Sequence, residues 1–233
     1  MSDVDGPSSL FVSPHLDDAV LSCGRLMACH EGVTVVTALA GSPAGWDALT
    51  GWDAECGFVP GDDVVVARLS EDRAALAVLN AQQRTINGLD DQYGPQPGRS
   101  GIIRAGIESA LVELAPRRCA IPLGLQHPDH IEVRRVALEV AADAQSPTTW
   151  TVYEDLPYGP NDPGGRFHDE AFAAFAGAGF LLSELQPDLD STMRVKAAAV
   201  ERYVSQVGAL RRFNPNFDRD IEIERHWSLE RRT

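Results

Sequence analysis

The sequence predicts an α/β fold, a Rossmann-like three-layer sandwich whose mostly parallel sheet is flanked by helices. Three observations carry that prediction. Short apolar runs rich in β-branched residues alternate with stretches of helical periodicity along most of the chain. The joints between them are short, so strand, helix and strand in succession imply parallel crossovers. No repeat, low-complexity tract or linker interrupts the alternation, which predicts one domain over residues 1–233 with its core between about 9 and 227.

Residues 9–13 read as a buried strand. Residues 17–30 read as a helix packed on a sheet, with Val20, Leu21 and Met27 apolar and Ala19, Gly24 and Ala28 small enough for close approach. Residues 33–40 form a second β-branched run. The segment 41–63 is rich in Gly and Pro and carries Trp46, Trp52 and Phe58, as a functional loop at the carboxyl edge of a sheet would. Residues 64–82 are helical, 86–89 a short strand, 90–100 a Gly/Pro loop, and 102–114 a helix stopped by Pro116. A buried strand follows at 118–123 and a helix at 129–142, with Val133, Val136, Ala137 and Val140 on one face. Residues 148–154 are a strand, and Pro157, Gly159, Pro160 and Pro163 forbid regular structure across 155–165. The remainder predicts a short helix at 169–178, an edge strand at 181–185 and one long amphipathic helix at 192–210. The tail from Arg211 is mixed and charged and has no assigned element.

Composition excludes some partners. Thirty-four acidic against 20 basic side chains give a net charge of -14, which disfavours nucleic acid and anionic membrane surfaces. The four cysteines, Cys23, Cys29, Cys56 and Cys119, are scattered without a C-x-x-C pair and read as buried free thiols of a reducing cytoplasm. Residues 1–9 lack a basic and then apolar leader pattern, and no later run approaches a membrane span. A cytoplasmic protein is the expectation.

Two polar clusters stand out. Ser13-Pro14-His15-Leu16-Asp17-Asp18 follows the apolar run Leu10-Phe11-Val12, and His127-Pro128-Asp129-His130 follows the run 119–125. In open parallel sheets, ligands collect outside the carboxyl ends of the strands, where both clusters sit. The first loop has no G-x-G-x-x-G, so a dinucleotide site is not indicated. Catalytic zinc takes three protein ligands and leaves one position open. His15 and Asp18, three apart where strand turns to helix, can face one point, and His130 can complete the set. Asp17 then remains free to take a proton from water as general base. His127, one turn before His130, can donate to a tetrahedral oxyanion or to a leaving amine. Asp129 either receives a hydrogen bond from a ring nitrogen of a ligand or caps the helix that follows. Each cluster alone also has a plain structural use, Asp17-Asp18 as a helix N-terminus and 127–130 as a solvated turn. Their occurrence together at equivalent strand ends favours a site.

These residues resemble the PIG-L family, also called LmbE-like proteins, zinc-dependent deacetylases of N-acetylglucosaminyl conjugates and related amino sugars. The first motif, S-P-H-x-D-D, is matched at 13–18 and the second, H-P-D-H, at 127–130. The likeness extends to Arg68-x-x-Glu71, to Asp91, to the segment Tyr153-Glu154-Asp155-Leu156-Pro157-Tyr158, and to Lys196-x-x-Ala199-x-x-x-Tyr203-x-Ser205-Gln206. The resemblance implies His15, Asp18 and His130 as ligands of one Zn²⁺ per chain, Asp17 as base and His127 as the oxyanion or amine partner. It also implies Arg68 and Asp91 as substrate contacts; their other reading is an Arg paired with Glu71 or Asp72 and a loop Asp capping a turn. Some members carry a Tyr two residues before the first His of the second motif. Leu125 stands there, and Tyr158 is the guess for a replacement. Glu154 and Asp155 either buttress the metal histidines or solvate a strand end, and Lys196, Ser205 and Gln206 tie the last helix to the active-site loops. His30, His168 and His226 read as ordinary polar residues.

The implied activity is hydrolysis of a small-molecule N-acetyl amino sugar conjugate, free or carrier-bound, in thiol-cofactor or antibiotic biosynthesis. The alternatives are a metal-dependent esterase or amidase on another small molecule, and a binding module that keeps the fold without catalysis. Homo-oligomerisation is left open.

Overall fold

A computed structural model describes residues 8–44, 49–145 and 147–232. Trp46 and most of the N-terminal stretch read above lie outside the described residues. The described strands are β1 (Ser9–Ser13), β2 (Val33–Thr37), β3 (Gln82–Thr85), β4 (Arg118–Pro122), β5 (Thr149–Tyr153), β6 (Phe180–Leu185) and β7 (His226–Arg231). They form one sheet in the order β3-β2-β1-β4-β5-β7-β6. The first five in that order run parallel, and β7 is antiparallel to both β5 and β6.

Helices cover both faces: α1 (Asp18–Ala28), α2 (Gly51–Glu55), α3 (Val64–Val78), α4 (Arg99–Leu114), α5 (Pro128–Asp143), α6 (Arg166–Gly177), α7 (Met193–Val200), α8 (Val204–Phe213) and α9 (Phe217–Asp220). Successive strand residues face opposite ways. Leu10 and Val12 therefore join a core with Ile103, Val133 and Phe175 from α4, α5 and α6, while Phe11 joins another with Leu21, Leu76 and Val200 from α1, α3 and α7. All five residues of β1 are buried, as its unbroken apolar run requires for a central strand. Each fully buried aliphatic side chain contributes about 1.5–3 kcal/mol. The architecture is the mostly parallel, helix-flanked α/β sandwich that the sequence predicts.

Beyond the short helix α2 inside the predicted loop 41–63, three elements differ from the sequence reading, each for a tertiary reason. The third strand is 82–85, not 86–89: polar Gln82-Gln83-Arg84-Thr85 pairs with β2 on one side only, while apolar Ile86 is buried against Gly106, where a Cβ would stand 2.4 Å from it. The helix read over 192–210 breaks between α7 and α8. At the break Tyr203 leaves helical geometry and buries its hydroxyl 2.7 Å from Asp72. The tail, read as irregular, supplies α9 and then β7, which inserts between β5 and β6 with His226 and Trp227 buried. The cysteines are all unpaired, but only Cys23 and Cys119 are buried; Cys56 is half-buried and Cys29 exposed. Among the described residues no helix is long and apolar enough to cross a membrane.

Candidate active site

The sheet order places β1 between β2 and β4, so the chain leaves β1 to one side and later returns on the other. The carboxyl ends of β1 and β4 open a crevice at this switch point. The turn after β1 supplies His15, Asp17 and Asp18, and the turn from β4 into α5 supplies His127, Asp129 and His130. The first turn is fixed by Ser13 Oγ, which donates to the His15 carbonyl at 2.5 Å and accepts from the Ala19 N–H at 3.0 Å.

Asp18 Oδ2 is the centre of the cluster. It accepts the His15 N–H at 2.7 Å and lies 3.0 Å from His15 Nδ1 and 3.1 Å from His130 Nε2. Each imidazole is held from its far side by another carboxylate. His130 Nδ1 is 2.6 Å from Asp155 Oδ1, and Asp155 Oδ2 accepts the Gly124 N–H at 2.6 Å. His15 Nε2 is 3.0 Å from Asp129 Oδ2, while Asp129 Oδ1 pairs with Arg99 Nη1 at 2.8 Å. Far-side N–H donation leaves the near nitrogens, His15 Nδ1 and His130 Nε2, with lone pairs that converge with Asp18 Oδ2 on one point where a cation can sit once the rings are neutral. Of the two uses open for Asp129, the side chain serves the ring; the cap of α5 is His127, whose Nδ1 accepts the Asp129 N–H at 3.2 Å.

The electrostatics follow from this crowding. Burial opposes charge on His15, but Asp90, Asp129 and Asp18 outweigh it and raise its pKa. Burial likewise opposes charge on His130, and Asp18 and Asp155 bring it up to about 9. Asp18 is held below the usual carboxylate range because the two imidazoles overcome its burial. Asp17 moves the opposite way, raised by burial and by the Asp18 charge beside it. His127 is lowered by burial and then by the two neighbouring imidazoles, which favours its neutral form. Because its Nδ1 accepts, the proton of that neutral ring is on Nε2.

The donor set fits a divalent ion. Ligand atoms of His15, Asp18 and His130 lie within 4.8 Å of one another, and the buried His130 Nε2 makes no hydrogen bond. Two imidazoles and one carboxylate are the ligand types of an open catalytic metal site.

A cavity of about 330 Å³ opens beside the cluster. His15, Asp17, Asp18, Asp90 and His127 line its polar end, and Leu16, Trp52, Val65, Leu210 and Phe213 line its apolar wall. Arg68 lines it too, with neither Glu71 nor Asp72 as partner: its Nη2 is 3.0 Å from Asp53 Oδ1 and 3.5 Å from Cys56 Sγ. Glu71 instead accepts from Ser205, and Asp72 from Tyr203. Asp91 sits between two cavity-lining residues. It gives its backbone N–H to Asp129 Oδ2 at 3.0 Å and is not among the lining residues, whereas its neighbours Asp90 and Gln92 are. Leu125 is fully buried in the core; the phenol beside the imidazoles is Tyr158, its ring centroid 4.9 Å from that of His130 and 6.0 Å from that of His127.

Asp155 buttresses His130, one of the two uses the sequence left open. Arg99, Asp53 and Asp90 were not legible as site residues, because nothing in their local sequence marks them and only the fold brings them there. Gln206 lines the cavity, while Lys196 forms a fully buried pair with Glu224 at 2.8 Å. Two histidines are more engaged than an ordinary polar reading allows: His226 is buried beside Glu224, and His168 contacts both Glu154 and Asp162.

A doubly wound sheet with a two-imidazole, one-carboxylate cluster at its switch point, and a spare carboxylate beside it, defines the class of metal-dependent hydrolases. Residues 10–141 match the PIG-L family model, described as GlcNAc-PI de-N-acetylase, and the chain belongs to that family of metal-dependent deacetylases. Solved structures agree. The A40926 pseudoaglycone deacetylase Dbv21 is 27% identical with a TM-score of 0.82, covering 98% of this chain and 99% of that one. A triple mutant of the deacetylase of teicoplanin biosynthesis, Orf2, is 29% identical with a TM-score of 0.78, over 96% and 98% of the two chains. The hydratase GalB of Pseudomonas putida, at 18% identity and a TM-score of 0.57 over 96% of this chain and 95% of that one, shares the fold alone. A comparison with curated protein sequences finds no match.

Proposed function

We propose that the protein is a zinc-dependent hydrolase that removes the acetyl group from an N-acetyl amino sugar carried on a large apolar scaffold, such as a glycopeptide antibiotic precursor. The convergence of His15 Nδ1, Asp18 Oδ2 and His130 Nε2 beside a cavity containing Asp17 carries this reading. These three residues would hold a zinc ion, which would supply Lewis acidity toward the acetamide carbonyl and the attacking water. Asp17 takes a proton from that water as it adds to the carbonyl carbon. Its raised pKa lets it keep the proton and then pass it to the departing amine. His127, neutral with its proton on Nε2, donates a hydrogen bond to the oxyanion. The Tyr158 ring packs on His130 and lines the same cavity.

The cavity supports the substrate class. Its polar end suits a sugar, with Asp90 and Arg68 as hydrogen-bonding partners, and the apolar wall of Trp52, Val65, Leu210 and Phe213 suits an aglycone. The structural neighbours support it as well, since one is a pseudoaglycone deacetylase and another is a deacetylase in complex with teicoplanin. Unpaired cysteines fit a reducing compartment, and we place the reaction in the cytoplasm.

The test is mass spectrometry of zinc-loaded protein incubated with N-acetylglucosaminyl pseudoaglycones, free N-acetylglucosamine and an O-acetyl analogue. Acetate and free amine from the pseudoaglycone, with little from the monosaccharide, is the expected result. Cleavage of the ester alone makes the protein an esterase, and affinity without acetate makes it a binding module.

A further inference from the structure

The imidazole of His168 bridges two carboxylates. Its Nδ1 lies 2.7 Å from Asp162 Oδ2 and its Nε2 lies 2.7 Å from Glu154 Oε1, with the three side chains 14%, 1% and 5% exposed. Serving two ionised carboxylates takes an N–H on each ring nitrogen, which only the imidazolium has. Asp162 Oδ2 also accepts the His168 backbone N–H at 3.0 Å, so the pairing fixes the start of α6.

The two carboxylates bracket the segment that carries Tyr158. Glu154 ends the run from β5 and directly precedes Asp155, the partner of His130. Gly159 rests on Glu154 so closely that a Cβ there would stand 2.3 Å from the Glu154 Cδ. On the other side Gln126, next to His127, donates from Nε2 to the carbonyls of Tyr158 at 3.0 Å and Asn161 at 3.1 Å. Tyr158 is therefore held between a backbone clamp and a charged clasp.

We propose that His168 is a positioning residue: by bridging Glu154 and Asp162 it sets the Tyr158 phenol at the reaction centre. The assignment rests on the deacetylase reading only for the role of Tyr158 in turnover. The charged groups facing the clasp are Glu154 from the end of β5, Asp162 from the segment before α6, and Arg225, which precedes β7 and reaches the same Glu154 oxygen at 3.3 Å. Burial works against charge on His168, and the two carboxylates outweigh it. The clasp is then complete below the ordinary histidine pKa of about 6.5 and is lost as pH rises through the raised value. An alkaline decline in turnover follows.

A double-mutant cycle with His168→Gln and Tyr158→Phe tests this. His168→Gln is expected to lower kcat about 10- to 100-fold, the effect of misplacing a reacting group by an ångström. It should leave KM nearly unchanged and remove the alkaline limb. In the Tyr158→Phe background the same substitution should cost less than about twofold in kcat. Equal costs in both backgrounds, with melting temperatures preserved, overturn the proposal. Nitrogen-15 NMR of the wild-type histidine rings serves if the variant does not fold. Both His168 nitrogens protonated at pH 7 is the expected result, and a neutral ring overturns the clasp. Wild-type protein inactive on every N-acetyl sugar sinks the deacetylase reading alone, because the NMR measurement needs no activity.

Discussion

The two imidazoles of the cluster are built alike and embedded differently. His130 is fully buried, its far nitrogen on Asp155, and Asp155 is itself fully buried with a backbone N–H as its second partner. His15 keeps 19% of its side chain exposed, and its far nitrogen meets Asp129, which is shared with Arg99 and the Asp91 N–H. One side is framework, tied to β5 and the core. The other joins the cavity wall, because Asp90 and Gln92 flank the residue whose N–H Asp129 accepts. The metal position is thus fixed from the His130 side and coupled to the substrate wall from the His15 side.

Removing one ligand on each side is the strongest way to break that contrast. His130→Ala should lose metal and also stability, by about 3–5 kcal/mol, since Asp155 is left as an uncompensated buried carboxylate. His15→Ala should lose metal with a smaller fall in melting temperature. Metal content by mass spectrometry and thermal unfolding of the chelator-treated proteins check both, and equal melting temperatures would contradict the distinction. Asp17→Asn comes next and touches neither side. It should lower kcat about 10²- to 10⁴-fold, the usual worth of a general base, with metal content unchanged. Metal loss in that variant would make Asp17 a ligand instead.

How much of this was legible in the sequence follows the same division. His15, Asp17 and Asp18 lie within four residues of one another, and His127 and His130 within another four, so local spacing and the strand ends were enough to bring each group to one point. The far-side partners split. Asp129 sits in the second motif, and its sequence left two uses open that geometry alone could separate. Asp155 comes from the end of β5 and is paired with His130 only because β4 and β5 are neighbours. Arg99 lies at the start of α4, in a stretch that the sequence reads as a Gly/Pro loop and that says nothing about a carboxylate 30 residues on. The fold shows the same pattern. The central parallel strands β1, β2 and β4 were readable from apolar runs, whereas polar β3 at the sheet edge was missed, and β7 was hidden because a six-residue strand of mixed polarity is stabilised by insertion between two partners distant in sequence.

A pH series sharpens the comparison with a smaller effect. His130 rises from about 6.5 unfolded to about 9 folded, so in chelator-treated protein its contribution is fully present below 6.5 and is lost as pH climbs to about 9. That amounts to about 3 kcal/mol. Bound metal replaces the proton, so metal-loaded protein should be flat across the same window. Denaturant midpoints at pH 6.5 and 9, with and without chelator, read this directly; an equal slope in both would show that His130 does not face the ion.

The smallest effect separates the His15 side into its two connections. Arg99 Nη1 reaches Asp129 Oδ1 at 2.8 Å and the Leu89 carbonyl at 2.9 Å, and the same guanidinium pairs with Glu132. Arg99→Gln removes the charge that balances Asp129 and frees the backbone just before Asp90. Partners one step from a metal ligand typically matter 10- to 100-fold in affinity, so Asp129→Asn should weaken zinc binding in that range and Arg99→Gln, one step further out, by less than about tenfold. KM for the sugar conjugate should rise in Arg99→Gln more than kcat falls, because the displaced backbone leads into the cavity wall and not into the cluster. Competition with a colorimetric chelator gives the zinc affinities, and steady-state kinetics on metal-saturated protein gives the other half. If Arg99→Gln instead lowers kcat with KM unchanged, then Arg99 acts through His15 and the wall is independent of it.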